Sequence, residues 1–335
     1  MNKPTIIARD SSQDTSSCLS PSINVGLSAC LAGEKVRYNA GHTQSRLCLN
    51  TLSRYFNFKT FCPEVAAGFG TPRPTMRLIG DPTSPQLVFS DNSDTDLTNQ
   101  LVDGFKDRLA EFSELDGYIL MKNSPSCGLE RVKVYQENGY PHPDSGAGIF
   151  AHALKQAYPN MPIEEEGRLH DNKIYENFIA RVYAHHNFRR EVLDQPSIHN
   201  LTQFHSSYKY LLMSHDQNQC REIGRFIAKN NHWPIEQLIS EYFALFMQAM
   251  SKHANKNNHA NALMHMLGYL KRSVPSAARQ NIVTVIEKYQ AGITPLSTPL
   301  TLLSHYLQQH GSTYINNQRY LEPYPEDINP IKKYC

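Results

Sequence analysis

Three features that would quickly classify a protein are missing from this sequence: a CxxC pair, a long apolar run and a strong net charge. The missing CxxC pair disfavours a closed zinc site built from two such pairs. No apolar run approaches the roughly 20 residues that cross a membrane, and residues 1–22 lack the apolar core of a signal peptide. The formal net charge is +2, so any nucleic acid would have to bind a local basic patch. We therefore expect a soluble, cytoplasmic protein with no membrane partner and no DNA partner.

Seven cysteines are present, an odd number in a chain that is expected to stay in the reducing cytosol. A disulfide framework is therefore not expected, and metal binding or catalysis becomes the explanation for some of these residues. Three of them, Cys30, Cys62 and Cys127, lie next to proline or glycine turns, which suit loops that wrap a metal cluster. The others are interpreted as buried structural thiols, a common state of free cysteine: Cys18, Cys48, Cys220 and Cys335.

The three turn cysteines together point to one kind of metal group. Three thiolates with no evident fourth ligand would leave a structural zinc site incomplete. They suit a 4Fe-4S cluster in which one iron stays open and acts as a Lewis acid. The sequence therefore predicts an enzyme site, with a buried structural thiol as the alternative for each cysteine taken singly.

Strands alternate with helices along the N-terminal half. Short β-prone runs occur at 23–28, 58–61 and 117–121, and apolar residues have helical spacing at 43–56 and 101–112. This alternation predicts an α/β fold with a parallel sheet covered on both faces, which is a three-layer arrangement. Each turn cysteine follows a predicted strand. We therefore expect all three at the carboxyl edge of the sheet, where such folds bind ligands.

The composition changes near residue 169, after which helical periodicity prevails. The segment 158–162, which contains two prolines, marks the expected boundary. We predict a disordered leader (1–22), an α/β iron–sulfur domain (23–165) and an all-α bundle (166–335). Helices are predicted at 177–192, 199–215, 221–228, 234–251, 260–269 and 276–289.

Three long motifs carry a resemblance to a known family. They are SACLAGEKVRYN at 28–39, FCPEVAAGFGTPRP at 61–74 and KNSPSCG at 122–128. In this order they resemble the thiouracil desulfurase family, over residues 23–155. The helical remainder is similar to a domain of unknown function that is often fused to this family or encoded beside it. Its matching segments are 204–209, 261–271 and 318–325. Together the two parts resemble bacterial desulfidases that remove sulfur from 4-thiouridine in tRNA.

The resemblance implies a non-redox desulfuration. In this family three cysteines, which map onto Cys30, Cys62 and Cys127, hold a 4Fe-4S cluster with one iron open for the thiocarbonyl sulfur of the substrate. Water then replaces sulfur at the ring carbon. Glu64, two residues after Cys62, is the expected catalytic carboxylate, with a cap or surface group as the alternative. Ser124, three residues before Cys127, is expected to donate to the pyrimidine or to relay a proton.

Substrate contacts are predicted from side chains in or near the motifs. Arg37 and Tyr38 are expected to hold a pyrimidine ring or a phosphate. Arg73 is expected to do the same, or to brace its own loop between two prolines. Ser28 and Ser126 are expected to bind substrate or to donate hydrogen bonds to the sulfurs of the cluster.

Contacts with thiolated tRNA are expected from the helical domain, because RNA readers combine cationic and aromatic side chains. The nucleotide would have to flip out of the folded tRNA to reach the iron. Ordinary packing is the alternative for each candidate, and for the pair His185 and His186 it is the favoured interpretation. The other candidates are Lys209, Lys271, Arg272, Arg319, Tyr208, Tyr269 and Tyr320.

Two other functions stay open at this point. The chain could be a desulfurase of free 2-thiouracil or of small thionucleosides, with the helical domain serving another partner. It could also be a non-enzymatic RNA-binding sensor whose cluster reports oxidation.

Overall fold

A computed structural model describes residues 23–136 and 138–328, so the predicted leader at 1–22 lies outside the described residues. Two sheets are present in this part of the chain. Their strands are β1 (Ile23–Ser28), β2 (Phe56–Phe61), β3 (Met76–Ile79), β4 (Gln86–Phe89), β5 (Gly117–Leu120), β6 (Val134–Tyr135) and β7 (Ile163–Glu165). The helices are α1 (Pro63–Ala66), α2 (Thr98–Phe105), α3 (Ile149–Ala157), α4 (Asn172–Phe188), α5 (Ile198–His215), α6 (Gln217–Asn230), α7 (Ile235–Ser251), α8 (Lys256–Leu267), α9 (Ser276–Gln290), α10 (Ser297–His310) and α11 (Thr313–Asn316).

The larger sheet has the strand order β2-β1-β5-β7, and every pairing in it is parallel. Successive side chains of a strand point to opposite faces. Tyr118 and Leu120 therefore pack with α2 and α3 on one face, whereas Val25 and Ile119 pack with α4 on the other. The predicted three-layer α/β arrangement is confirmed.

The smaller sheet was not predicted. It has the order β4-β3-β6, with β3 antiparallel to β4 and parallel to β6. Two of its strands have four residues and the third has two, which is too short for a periodicity to stand out. This sheet brings Met76, the first residue of β3, to the wall of the cavity described below.

Two predicted helices of the N-terminal half are shorter than expected. The segment 43–56 contains two short turns, Leu47–Thr51 and Leu52–Arg54, because the amides of Thr43 and Ser45 bond to the cysteine loop at Cys30 and Leu31 instead. The helix predicted at 101–112 is α2, followed by 3-10 turns over Lys106–Glu114.

Helix α4 belongs to the sheet by packing, although it follows the predicted boundary between residues 165 and 166. Tyr175, Phe178 and Val182 of this helix lie in the core against β1 and β5. The hydroxyl of Tyr175 also donates to the carbonyl of Ile328 at 2.7 Å, which ties the end of the described chain to this layer. The boundary itself stays a prediction, but a truncation near residue 170 would expose this face of the sheet.

The C-terminal half is helical, as predicted, and α5 to α10 enclose a separate apolar core. Its large, fully buried side chains include Phe188, Phe204, Tyr208, Tyr242 and Phe246. Helices α5, α7 and α9 lie within one residue of the predicted bounds at each end, whereas α10 was not predicted. No helix in residues 23–136 and 138–328 is long and apolar enough to cross a membrane.

A buried polar cluster joins Asp116, the residue before β5, to the C-terminal end of α4. Asp116 accepts hydrogen bonds from the Nδ1 atoms of His185 at 3.2 Å and His186 at 2.8 Å, and from Arg189 at 3.2 Å. Burial opposes ionisation of Asp116, but the bonds from both histidines outweigh it and lower its pKa to about 2. The two histidines are buried, so the packing interpretation holds for them and they are not RNA contacts in this structure.

Candidate active site

A cavity of about 340 Å³, here called the thiol cavity, opens at the carboxyl edge of the parallel sheet, and all three turn cysteines line it. Cys30 follows β1, Cys62 follows β2, and Cys127 lies in the loop after β5. The structure thus brings together three thiols that are far apart in the sequence, as expected for residues that follow the strands of a parallel sheet. The other lining residues that matter here are Ser28, Arg37, Tyr38, Glu64, Arg73, Met76, Met121, Ser124 and Ser126.

Local backbone structure explains the position of each cysteine. Cys30 lies in the 3-10 turn Ala29–Ala32, which ends at Gly33 with a φ of 94°, a left-handed conformation that favours glycine. Cys62 is the N-cap of α1, and the proline that follows is suited to a first helical position. The amide of Cys127 donates to the hydroxyl of Ser124 at 3.1 Å, which closes a tight turn.

The three thiols share an environment that opposes their ionisation in the protein alone. Burial and then the neighbouring Cys62 raise the pKa of Cys30 to about 11. Burial likewise raises the pKa of Cys62 and, most strongly, that of Cys127. A cationic metal group would offset this cost, because thiolates are the form that binds metal.

The kind of metal group can be tested against the arrangement. Among the described residues, no three His, Cys, Asp or Glu side chains form a site for a single metal ion. Three thiols spread around one cavity suit a larger, polynuclear group, and soft thiolates select iron–sulfur clusters among such groups.

An orphaned hydroxyl supports the same conclusion. Tyr118 projects from β5 into the core that also contains Cys127, and its hydroxyl is buried with no hydrogen-bond partner in the described part of the chain. Its ring lies where a Cβ on Gly26 would approach within 2.2 Å, so the glycine makes room for it. Burial and then the nearby Cys127, Cys62 and Cys30 raise the pKa of the Tyr118 phenol well above its usual range. A cluster held by these cysteines would bring sulfur acceptors within reach of this unpaired donor, so the residues fit an iron–sulfur cluster.

Glu64 lies on the first turn of α1 and is the carboxylate of the cavity. One of its oxygens, Oε2, accepts hydrogen bonds from Nε of Arg73 at 3.0 Å and from Nη2 of the same guanidinium. The other oxygen, Oε1, accepts from Ser126 at 2.5 Å and faces the hydroxyl of Ser124 at 3.4 Å. The carboxylate is therefore held from both sides and directed into the cavity.

The guanidinium of Arg73 donates its hydrogen bonds to other groups of the protein. Besides pairing with Glu64, its Nη1 donates to the carbonyls of Val36 at 3.0 Å and Gly70 at 2.8 Å, and its side chain is 3% exposed. Four hydrogen bonds to the protein fit the bracing role that was the alternative to substrate binding. No local sequence pattern predicts the pairing with Glu64, because the two residues lie on different turns nine positions apart.

The serines connect Glu64 with the cysteine loop. Ser124 accepts from the amides of Ser126 at 3.2 Å and Cys127 at 3.1 Å, so its hydroxyl proton is left to donate. Ser126 lies 2.9 Å from the hydroxyl of Ser124 and 3.8 Å from the Cys127 sulfur. Ser28 accepts from the amide of Met121 at 3.0 Å and hydrogen-bonds to the Cys127 thiol, which lowers the pKa of that thiol slightly against the larger effect of burial.

Arg37 and Tyr38 form the outer part of the cavity. Arg37 donates to Thr43 at 2.8 Å, lies 5.7 Å from the ring centroid of Tyr38, and is close enough to Cys30 to lower the pKa of that thiol against the effect of burial. Tyr38 is 43% exposed, so part of this residue is accessible to a ligand.

The predicted RNA contacts of the helical half are only partly accessible. Tyr208 and Tyr320 are buried, so the expectation that they stack on bases is wrong for this structure. The reason is that both belong to the apolar core of the bundle. Tyr269, Lys271 and Arg272 are exposed, whereas Lys209 is partly buried and Arg319 pairs with Glu191 at 2.7 Å.

A thiol-lined cavity with an anchored carboxylate, at the carboxyl edge of a parallel sheet, is the arrangement of a metal-cluster-dependent α/β enzyme. Comparison with known families agrees. The family described as 2-thiouracil desulfurase matches residues 25–166, and a protein family of unknown function, DUF1722, matches residues 209–325. The chain belongs to the 2-thiouracil desulfurase family, with a DUF1722 domain at its C-terminal side.

Individual relatives cover one part of the chain at a time. YbgA of Escherichia coli (strain K12), an uncharacterized protein, is 30% identical over 152 residues, which is 45% of this chain and 90% of YbgA. YbbK of Bacillus subtilis (strain 168), also uncharacterized, is 32% identical over 146 residues, or 42% of this chain and 95% of YbbK. A solved structure described as the 4Fe-4S-dependent thiouracil desulfidase TudS is 26% identical, covers 44% of this chain and 93% of its own, and has a TM-score of 0.35.

Proposed function

We propose that this protein removes sulfur from 4-thiouridine in tRNA, using a 4Fe-4S cluster bound by Cys30, Cys62 and Cys127. The observation that carries the proposal is that these three thiols and the anchored Glu64 line one cavity. Membership of the desulfurase family and the likeness to a relative described as a 4Fe-4S-dependent thiouracil desulfidase support the chemistry. The reaction exchanges a thiocarbonyl sulfur for the oxygen of water and releases sulfide, so no electron is gained or lost.

When bound, the cluster would supply a soft Lewis acid for the sulfur of the substrate. The remaining steps belong to the chain. Oε1 of Glu64 accepts a proton from the attacking water, and Arg73 keeps the carboxylate oriented while it does so. Ser126 and Ser124, which lie 2.9 Å apart, pass a proton between Glu64 and the ring. Arg37 and Tyr38 hold the phosphate and one face of the base at the outer part of the cavity.

A smaller substrate is the second candidate, and the size of the cavity favours it. A volume of about 340 Å³ holds one pyrimidine, and no residue of the helical half up to Ile328, where the described chain ends, lines it. Free 2-thiouracil or a thionucleoside could therefore react without any RNA surface. The sensor alternative predicts a cluster without turnover on either substrate.

The first prediction is that the reconstituted protein releases sulfide anaerobically from thiolated tRNA, with loss of the thiouridine absorbance of the tRNA. Cys62→Ser is expected to lower the rate to background, because a thiolate ligand is lost. Cys220→Ser is the matched control, since Cys220 is a buried thiol of the helical half, far in sequence from the cavity. Sulfide from free 2-thiouracil but not from tRNA would reject the tRNA proposal, and sulfide from neither would reject a desulfurase function.

The second prediction concerns the unpaired Tyr118 hydroxyl. Tyr118→Phe is expected to leave the cluster-free protein as stable as the wild type or about 1 kcal/mol more stable, because a buried hydroxyl without a partner is removed. In the loaded protein, loss of a hydrogen bond to sulfur is expected to lower the reduction potential of the cluster, measured by a redox titration followed by electron paramagnetic resonance.

Tyr158→Phe is the control for this experiment. Its hydroxyl donates to the carbonyl of Leu109 at 2.5 Å, outside the thiol cavity. This variant should lose stability with an unchanged potential. An unchanged potential in Tyr118→Phe would show that the phenol does not contact the cluster.

A further inference from the structure

Another cavity, of about 400 Å³, lies where the α/β half meets the helical half. Its floor is α4, which contributes Asn177 and Arg181. One wall is α7, and the opposite wall comes from Lys155 of α3 and from residues around β7. Ligand pockets occur preferentially at junctions of this kind between domains.

The cations of this cavity are not all paired. Arg168 forms ion pairs with Glu130 at 2.9 Å and with Glu164 at 3.3 Å, which accounts for both carboxylates that line the cavity. Lys155 and Arg181 have no ion pair in the parts of the chain that the structure describes. The cavity therefore has a surplus of positive charge.

Arg181 is the unusual member of this set. Its Nε atom is buried and has no hydrogen-bond partner within residues 23–136 and 138–328. Burial lowers the pKa of its guanidinium to about 10, against a smaller opposite effect of Glu164, so the side chain is still charged at neutral pH. A buried Nε–H without an acceptor is costly in the protein alone, and a bound anion would remove that cost.

We propose that this cavity binds the phosphate group of a nucleotide, either free or as part of an RNA chain. The planar guanidinium of Arg181 offers two parallel N–H donors, which match the oxygens of a phosphate, and Lys155 adds a second positive charge. The side chain of Gln248 also lines the cavity and supplies a neutral donor. The donors of Asn177 and Ser251 bond to backbone carbonyls of the protein instead.

One loop connects this phosphate cavity with the thiol cavity. Ser124, Ser126 and Cys127 line the thiol cavity, while Leu129 and Glu130 of the same loop line the phosphate cavity. The inference therefore rests on the proposed function and extends it. When a thiolated base enters the thiol cavity, a phosphate of the same RNA would be held on the other side of the loop that carries Cys127.

Binding of unthiolated tRNA and of uridine monophosphate to the full-length, cluster-loaded protein tests this inference. Arg181→Gln is expected to weaken binding by about tenfold or more, because a charge-assisted phosphate contact is lost. For tRNA, the salt dependence of binding should also fall by about one phosphate contact. Arg108→Gln is the control, since Arg108 is exposed and pairs with Glu111 at 3.1 Å.

The two ligands distinguish the sources of the phosphate. Weaker binding of tRNA alone assigns the cavity to RNA, and weaker binding of uridine monophosphate alone assigns it to a free nucleotide. Unchanged affinity for both ligands in Arg181→Gln overturns the inference. Arg181→Lys, which keeps the charge but loses the fork, and Lys155→Gln carry the test if thermal unfolding shows that Arg181→Gln does not fold.

Sulfide release from thiolated tRNA is measured in parallel. Phosphate binding that depends on Arg181 but without sulfide release would reject the desulfidase proposal and leave the phosphate cavity in place. Sulfide release that is independent of Arg181, together with unchanged binding, would overturn the phosphate-binding inference and leave the desulfidase proposal in place.

Discussion

Glu64→Gln is expected to lower the rate of sulfide release by about 10²- to 10⁴-fold, the usual contribution of a general acid or base. Glutamine keeps the shape of the side chain and can still accept a hydrogen bond from Arg73, but it cannot take a proton from water. The cluster should load normally, because Cys30, Cys62 and Cys127 are unchanged. The measurement is the single-turnover rate, with iron content and visible absorption recorded on the same sample.

Glu166→Gln is the matched control for this variant. Glu166 is also a partly buried carboxylate that accepts a hydrogen bond from a serine, Ser45, at 2.6 Å, but it does not line the thiol cavity. The Glu166→Gln variant should have the wild-type rate of sulfide release. A rate for Glu64→Gln within about threefold of the wild type would mean that the carboxylate positions the loops and does not move a proton.

The sequence predicted the thiol cavity because its parts follow from local rules. Cys30, Cys62 and Cys127 each follow a strand, and parallel strands end at one edge of a sheet. Two of these three strands, β1 and β5, could be predicted clearly from the sequence. They pair with each other and are rich in buried apolar residues, as is usual in parallel sheets. The parallel pairing of the strands then places the three cysteines at one edge of the sheet.

The partners of Glu64 could not be predicted in the same way. Arg73 reaches Glu64 and the carbonyl of Val36, which lies 37 positions away, and no local pattern connects these residues. Tyr118 gave no signal either, because within an apolar strand a tyrosine is expected to be core, and its unpaired hydroxyl is a property of the packed fold. Burial of Tyr208 and Tyr320 in the bundle was missed for the same reason.

The helical half should be sensitive to acid. His205, His215 and His259 are largely buried, and burial lowers the pKa of each to about 4 from the ordinary value of 6.5. The positive charge of Lys209 also lowers the pKa of His205, and His215 also lowers the pKa of His259. The hydrogen bond from His215 to the carbonyl of Lys252 opposes the lowering of the pKa of His215. In the folded protein these three side chains therefore stay neutral well below pH 6.5.

The sign of the effect follows from proton uptake. As the pH falls from 6.5 towards 4, the unfolded chain binds up to three protons at these positions that the folded chain does not bind. The free energy of unfolding is therefore highest above pH 6.5 and falls on acidification, at up to about 4 kcal/mol per pH unit for three sites. Asp116, with its lowered pKa of about 2, adds a further loss below about pH 4, where the unfolded carboxylate is protonated first.

Urea unfolding followed by circular dichroism between about pH 7.5 and about pH 5 measures this slope. His259→Gln is expected to lose about one third of it, because one of the three sites is removed, even if the variant is less stable at neutral pH through loss of the 2.8 Å contact with Tyr320. His232→Gln is the control, since His232 is exposed, and it should keep the wild-type slope. A wild-type free energy of unfolding that stays constant over this range would show that the histidines titrate normally in the folded protein.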